Sequence, residues 1–357
     1  MENYKAAVIG AAGYTGTELV KLLLGHPGFD LVAATSTSEK GVRLDERYPA
    51  LLGHTDLRYV TLQELGDYDI DLVFLAVPHN TAMDIAPKLM DFGITVIDLS
   101  ADFRLKDADV YRQWYNMEHV APSLLETAVY GLPELNRNSL LYLADLRESG
   151  QSVLVACPGC YPTASALAAS PALAAGAMMP GRPVVINALS GASGMGSKAT
   201  EASHFVSVNE EARAYNVGVH RHTPEIEQTL SIEAGQPINV QFTPHLIPMN
   251  RGLISTVAIS LLPGLKQNVL EVIYATAYSD EPFVNMLPYG VMPKTSSVMG
   301  TNQAQIGIFF DAHTDMLVAS CAIDNLGKGA SAQAIQCANI VYKMPETTGL
   351  DTIGMVI

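Results

Sequence analysis

Positive charge is scarce in this chain. Twenty-one Lys and Arg stand against 36 Asp and Glu in 357 residues, a formal net charge of −15. Phosphate backbones and anionic membrane surfaces are held by clustered cations, so nucleic-acid and membrane partners are excluded on charge. Any cation that holds a small anionic ligand must then be a local exception. Long apolar runs are missing as well: the longest Ala-rich stretch, "ALAASPALAAGAMMP", is too short to span a bilayer and is broken at Ser170 and Pro171. Only four cysteines occur, too few for a disulfide framework, which points to reduced thiols in the cytoplasm. The opening "MENYKAAVIGAAGYTG" shows no signal-peptide pattern. Neither solenoid repeats nor low-complexity linkers interrupt the chain.

What is present suits a compact enzyme, with 48% hydrophobic and 16% charged residues. The length predicts two domains, each able to bury a core. In the first part, β-branched runs ("KAAVIG", "LVAATS", "DLVFLAV", "ITVIDLS") alternate with helical patterns ("TELVKLLLGH", "AMDIAPKLMDFG"), the signature of a parallel sheet covered on both faces. After Cys160 longer strands dominate ("PVVINALS", "INVQFTPHLIP", "GLISTVAISL", "QAQIGIFF", "MLVASCAID"), predicting an α+β domain with a mainly antiparallel sheet. A last helical pattern, "GKGASAQAIQCANIVYKM", is placed to return to the first domain. The expected division is 1–157 completed by 326–357, with 158–325 as the catalytic and oligomerisation domain.

"AVIGAAGYTGTELV" sets Gly10, Gly13 and Gly16 between a strand and a helix. Such a turn brings backbone N–H groups and a helix N-terminus up to a pyrophosphate, with Ala12, Tyr14 and Thr15 in the same loop. Ala12 stands where the usual fingerprint has glycine, yet it permits the same approach if its backbone angles are ordinary. The second strand of an NAD-preferring fold ends in an acid; here it ends in Thr35 and Ser36, and Asp30 lies at the wrong end. Ser36 and Ser38, followed by Lys40 and Arg43, favour NADP.

Cys157 and Cys160 in "VLVACPGCYPTASAL" admit three readings. They form a redox pair, half of a zinc site with His220 and His222, or a buried bystander beside one nucleophile. The third reading leaves Cys157 in the strand and puts Cys160 at the mouth of a helix, where the dipole and unsatisfied N–H groups stabilise a thiolate. A proton partner is at hand in "GVHRHTPEIEQTL". There Thr223 reads as an N-cap, Pro224 as the first helical residue, and His222 as lying just outside. Extended alternation puts His220 and His222 on one side with Arg221 opposite.

Taken in order, "VIGAAGYTG", "DLSADFR", "YGLPE", "CPGCYPT", "SGASG", "GVHRHTPEI" and "NLGKGASAQAIQ" resemble the N-acetyl-γ-glutamyl-phosphate reductases, and more broadly the aspartate-semialdehyde dehydrogenases and the glyceraldehyde-3-phosphate dehydrogenase fold. The resemblance implies a Rossmann-type domain, NADP(H) as cofactor, an acyl phosphate substrate in arginine synthesis, and a homodimer or homotetramer. It implies Cys160 as nucleophile and a histidine as acid/base, for which His222 is preferred and His220 kept as a substrate or supporting contact. It also implies Arg104 and Ser100 at the substrate phosphate, with Arg221 and Arg251 as the other anion-binding candidates. Ser193, Gly194 and Asn325 fall at the cofactor, and no metal is implied. The competing readings are an aspartate-semialdehyde dehydrogenase and a non-catalytic NADP-binding regulator.

Overall fold

A computed structural model describes residues 3–354. The chain divides into two compact units, Met1–Pro158 with Ala330–Leu350, and Gly159–Gly329 with Asp351–Ile357.

The first unit is built on seven parallel strands: β1 Tyr4–Ile9, β2 Phe29–Thr35, β3 Tyr59–Val60, β4 Leu72–Leu75, β5 Thr95–Asp98, β6 Val129–Tyr130 and β7 Leu154–Ala156. Their order is β3-β2-β1-β4-β5-β7-β6. Buried on both faces, β4 reads as the unbroken apolar run "LVFL". Chain order reverses between β1 and its neighbour β4, the switch point at which doubly wound sheets bind ligands beyond their strand ends. The loop after β1 therefore carries the glycines to the functional edge.

The returning helix, Ala332–Val341, is buried along its whole length and packs on helices Pro133–Glu148 and Tyr14–Leu24 and on β5. A helix this apolar on every side is stable only inside a core. The chain after it is tied down by His26, whose Nε2 lies 3.0 Å from Asn339 Oδ1 and 3.1 Å from the Thr348 carbonyl. His26 Nδ1 accepts from the N–H groups of Gly28 and Phe29, which fixes the imidazole as the neutral Nε2–H form.

The second unit holds β8 Val184–Ser190, β9 Arg213–Ala214, β10 Val240–Leu246, β11 Leu253–Ser260, β12 Val284–Met286, β13 Ala304–Asp311 and β14 Met316–Ile323. The order is β12-β13-β14-β11-β8-β10-β9. Antiparallel pairing dominates, as expected, but β8–β10 and β12–β13 run parallel, so the sheet is mixed. Strand β11 alternates strictly, with Leu253, Ser255, Val257 and Ile259 buried.

Helix Cys160–Ala174, called here the thiol helix, packs on β11 and β14 and is itself covered by helices His222–Ala234 and Gln267–Ala277. All its residues from Tyr161 to Leu173 are buried, and its alanines let the neighbouring backbones approach. Pro171 inside it has no N–H for the Leu167 carbonyl four residues back. The Tyr278 hydroxyl donates to that carbonyl at 2.5 Å, and Tyr274 donates to the next, Ala168, at 2.6 Å.

Candidate active site

In the first unit the sequence-predicted nucleotide turn forms as expected at the end of β1. Gly10 adopts φ +86°, and a Cβ there would meet the Ala76 carbonyl oxygen at 2.3 Å. A Cβ on Gly16 would come 2.3 Å from the Gly10 oxygen. Both glycines are required for the turn to close. Gly13 differs: its φ of −78° and ψ of 165° suit any residue, and a Cβ would meet nothing nearer than 3.7 Å. It caps helix Tyr14–Leu24 without a side-chain hydrogen bond, no acid lies in the first turn, and Tyr14 is exposed. The first helical N–H groups, those of Tyr14, Thr15 and Gly16, have no partner within their own helix. A small cradle free of internal demands, at a helix N-terminus, fits a dinucleotide pyrophosphate. Ala12 belongs to the same turn, its carbonyl accepting from the Tyr48 hydroxyl at 3.1 Å.

At the end of β2, Ser36 is buried and its Oγ accepts from the Glu39 N–H, whereas Ser38 is exposed 3.4 Å from it. Lys40 pairs with Glu64, and Arg43 pairs with Asp45 and Asp56. These two cations are thus balanced by carboxylates within the unit.

Arg104 is buried, and it donates from Nε to the Cys157 carbonyl at 2.7 Å and from Nη2 to the Leu99 carbonyl at 2.8 Å. Ser100 bridges Asp98 and the Asp102 N–H. Asp98, wholly buried, is pushed up to about 7 by desolvation, with the Asp102 charge adding to the shift. The structure engages both sequence-predicted phosphate contacts in holding the loop after β5 and the end of β7.

The second unit gathers the reactive groups. Cys160 is the first residue of the thiol helix, half-buried, after Gly159 as N-cap. All four cysteines are thiols, and Cys157 is fully buried, its N–H donating to the Asp98 carbonyl. The Gly159 N–H donates to the buried carboxylate of Glu225 at 2.8 Å. Gly329, on a turn of π-helix spanning Gly327–Ser331, would place a Cβ 2.8 Å from that of Cys160. Such π-turns recur at functional sites, and here glycine is what lets one pass the thiol.

Tyr161, the residue after the thiol, sets its ring against those of His220, His222 and Phe242, and the Tyr215 ring meets that of His220. Tyr161 donates to the His245 carbonyl at 3.2 Å, and Tyr215 donates to the Tyr161 hydroxyl at 3.1 Å. Burial holds both phenols above their ordinary range, Tyr215 at about 12, and the negative charge of a Cys160 thiolate adds to each shift. The rings of His220 and His222 lie 4.9 Å apart at 60°.

The local structure of this segment differs from the sequence expectation. The helix begins at His222, not after Thr223, and residues 217–219 form a turn, not an extended run. His220 supplies what Thr223 was expected to supply: its Nδ1 accepts from the His222 N–H at 3.1 Å and its carbonyl from the Thr223 N–H at 2.9 Å. Burial and then the Arg221 charge push His220 down to about 4. Arg221 itself is exposed.

The remaining candidates form a second cluster. Arg251 forms an ion pair with the fully buried Asp324, Nη2 to Oδ2 at 2.8 Å, and Asp324 also accepts from the N–H groups of Gly300 and Leu326. Arg251 thereby holds the Asp324–Asn325 corner. The Asn325 amide is oriented at both ends, Oδ1 accepting from Gly252 and Nδ2 donating to Ser193 Oγ at 2.8 Å. Gly194 lies alongside, where a Cβ would come within 3.9 Å of Asn325 Nδ2.

Sequence reasoning missed Tyr161, Tyr215, Glu225, Asp324 and Gly329. For Glu225 a signal existed, since it follows His222 by three residues and so shares its helix face. Among the described residues, no group of three or more His, Cys, Asp or Glu is arranged for a metal ion. No helix among them is long and apolar enough to cross a membrane.

Two domain families match the chain: the semialdehyde dehydrogenase NAD binding domain over residues 5–142, and the semialdehyde dehydrogenase dimerisation domain over 160–325. A nucleotide turn in one unit and a helix-mouth thiol in the other define a dehydrogenase of that class. Its fold is shared by aspartate semialdehyde dehydrogenase II of Vibrio cholerae, with a TM-score of 0.72 at 15% identity over 96% of this chain and 99% of that one. The Candida albicans aspartate semialdehyde dehydrogenase, solved with NADP, gives 0.68 at 15% over 95% and 98%. Sequence similarity is closer to N-acetyl-gamma-glutamyl-phosphate reductases: 46% identity to that of Desulforudis audaxviator over 98% of this chain and 99% of the relative, and 44% to that of Citrifermentans bemidjiense over 98% of each. The chain belongs to the N-acetyl-gamma-glutamyl-phosphate reductase family.

Proposed function

We propose that this chain reduces N-acetylglutamyl 5-phosphate to N-acetylglutamate 5-semialdehyde with NADPH, releasing phosphate, as a cytoplasmic enzyme of arginine synthesis. The observation that carries the reading is Cys160 at the first position of a buried helix, next to Tyr161, whose ring meets both His220 and His222, in a chain 46% identical to a reductase of that name.

The chemistry follows from these groups. The Cys160 sulfur attacks the acyl carbon, the C–S bond forms, and the C–O bond to phosphate breaks with its electron pair leaving on phosphate. The thiolate is favoured by the helix N-terminus, whose N–H groups also suit a developing oxyanion. The Gly10–Gly16 turn and Ser38 would hold NADPH, which would supply the hydride needed to take a thioester to the aldehyde level. Within the second unit, Ser193, Gly194 and Asn325 are the cofactor contacts. When the tetrahedral adduct collapses, the C–S bond breaks and the electron pair returns to Cys160. His222 takes the proton that the thiol gives up, donates a hydrogen bond to the developing alkoxide, and returns the proton to the Cys160 thiolate as the aldehyde forms. Arg104 is the phosphate contact, supported by Ser100, and Arg221 is the remaining candidate for a substrate carboxylate.

The dimerisation-domain match and the half-exposed alternates of the second sheet, Ile254, Thr256 and Ala258 on β11 and Val185 and Leu189 on β8, support a homodimer or homotetramer through that face. Light scattering on the purified protein checks the assembly. The activity is tested in reverse, with N-acetylglutamate semialdehyde, NADP and phosphate, and aspartate semialdehyde as the comparison. Faster turnover of aspartate semialdehyde would overturn the substrate assignment.

A further inference from the structure

We infer that His220 is a positioning residue, held as a neutral Nε2-protonated imidazole that caps helix His222–Ala234 and fixes His222 as the proton-transfer group. This rests on the reading of Cys160 as an acylated thiol given above.

The tautomer follows from one contact. His220 Nδ1 lies 3.1 Å from the His222 backbone nitrogen. An amide N–H only donates, so the lone pair on Nδ1 must receive it and that nitrogen carries no proton. An imidazolium would set N–H against N–H and break the cap. The Thr223 N–H ends on the carbonyl of the same residue at 2.9 Å. Residue 220 thus satisfies two of the first N–H groups of the helix on which His222 stands, as an Asx-turn does with a side-chain oxygen.

The surroundings oppose a second proton. His220 meets Tyr161 edge to face at 5.7 Å, Tyr215 at 5.5 Å and Phe242 at 5.3 Å. Both tyrosines are neutral phenols, and the charged neighbour, Arg221, is a cation. With its ionisation pushed down to about 4, His220 is protonated in about one molecule in a thousand at pH 7. Such a group neither donates a proton to an alkoxide nor competes for one from a thiol. Its ring instead presses edge-on against that of His222, 4.9 Å away, and limits where that imidazole points.

Asparagine at 220 retains an acceptor for the N–H two residues on but cannot titrate, and phenylalanine retains a ring without the acceptor. The test compares His220→Asn, His220→Phe and His222→Asn, reading thiol-labelling rate against pH and, in the reverse assay, kcat and KM. The thiol-labelling midpoint of His220→Asn should match wild type, with kcat down about threefold and KM unchanged; His220→Phe should lose about tenfold or more in kcat. His222→Asn should lose the fast thiol and about a thousandfold in kcat. Loss of the fast thiol in folded His220→Asn, with His222→Asn keeping it, would overturn the inference. Labelling needs no substrate, so it decides the role of His220 even if the wild type fails on N-acetylglutamate semialdehyde, a result that would sink only the substrate reading. If His220→Phe proves unstable, the asparagine variant decides alone.

Discussion

Gly13→Ala and Gly16→Ala separate the glycine that serves the ligand from those that serve the fold. In Gly16→Ala the new Cβ would sit 2.3 Å from the Gly10 oxygen and 2.7 Å from Ala11 Cα, both backbone atoms. Relief requires the turn to move, at the 1–3 kcal/mol typical of overpacking, or roughly 2–12 °C in Tm for a unit of this size. In Gly13→Ala the Cβ meets nothing under 3.7 Å. The entropy lost from the unfolded chain stabilises by about 0.4–1 kcal/mol, and alanine's poor standing at an N-cap offsets a similar amount. The melting temperature without cofactor should hold. Binding should not: losing one charge-assisted N–H contact to phosphate, about 1.5–3 kcal/mol, weakens NADPH by about 10- to 150-fold. At a concentration 100 times the wild-type Kd, cofactor stabilises wild type by about 2.7 kcal/mol and Gly13→Ala by only about 0.3–1.4 kcal/mol. Thermal melts with and without NADPH, alongside calorimetric titration, read both effects. If Gly13→Ala melted as low as Gly16→Ala without cofactor, or kept the full wild-type response to NADPH, the division of labour would be refuted.

Cys160→Ala should abolish reduction while NADPH binding survives, and Cys157→Ala should cost only about 1 kcal/mol of stability; equal loss of activity in folded forms of both would restore the paired-cysteine reading. Tyr278→Phe strips the Leu167 carbonyl of the hydroxyl that replaces the missing Pro171 N–H, so denaturant unfolding should show a loss of about 1–3 kcal/mol. The pH dependence of stability should carry the mark of His220. Between its unfolded value of 6.5 and its folded value near 4, only the unfolded chain binds the proton. Stability is therefore full above 6.5 and falls as the pH drops towards 4, by about 3 kcal/mol, and this part of the slope should vanish in His220→Asn. His26 and His119, lowered by burial, and Asp98, raised with the opposite sign, act in both proteins, so the difference between the two melting curves isolates His220. Arg104→Leu should raise the KM for phosphate in the reverse direction; an unchanged KM would leave Arg104 only as a support for the Cys157 and Leu99 carbonyls.

The strands that position the site were legible because buried β-branched runs and glycine turns are local signals. Strands β3, β6, β9 and β12 were not, since two or three residues carry no period to read. Cys160 could be placed because Pro158 and Gly159 stop the strand and an alanine-rich run follows. The histidine segment was misread in form: Thr-Pro-Glu looks like a helix start, but the imidazole nitrogen of His220 took the acceptor's role three residues earlier, and histidine is not among the usual caps. Seen only in three dimensions were the burial of Glu225 and the pairing of Arg251 with Asp324. These join residues 66 and 73 positions apart, through contacts no local pattern encodes.

The first unit leaves the chain at Pro158 and is taken up again at Ala330, with a helix that is buried along its whole length. On the ribosome the nucleotide sheet is thus synthesised early and finished late. Residues 159–329 must emerge in between, which takes roughly 9 to 34 s at 5–20 residues per second. Throughout that interval the place of helix Ala332–Val341 lies open and its apolar surroundings are uncovered, and by the end of it the thiol-bearing unit has almost all of its sequence. A chain truncated after Gly329 and released should therefore fail to retain NADP.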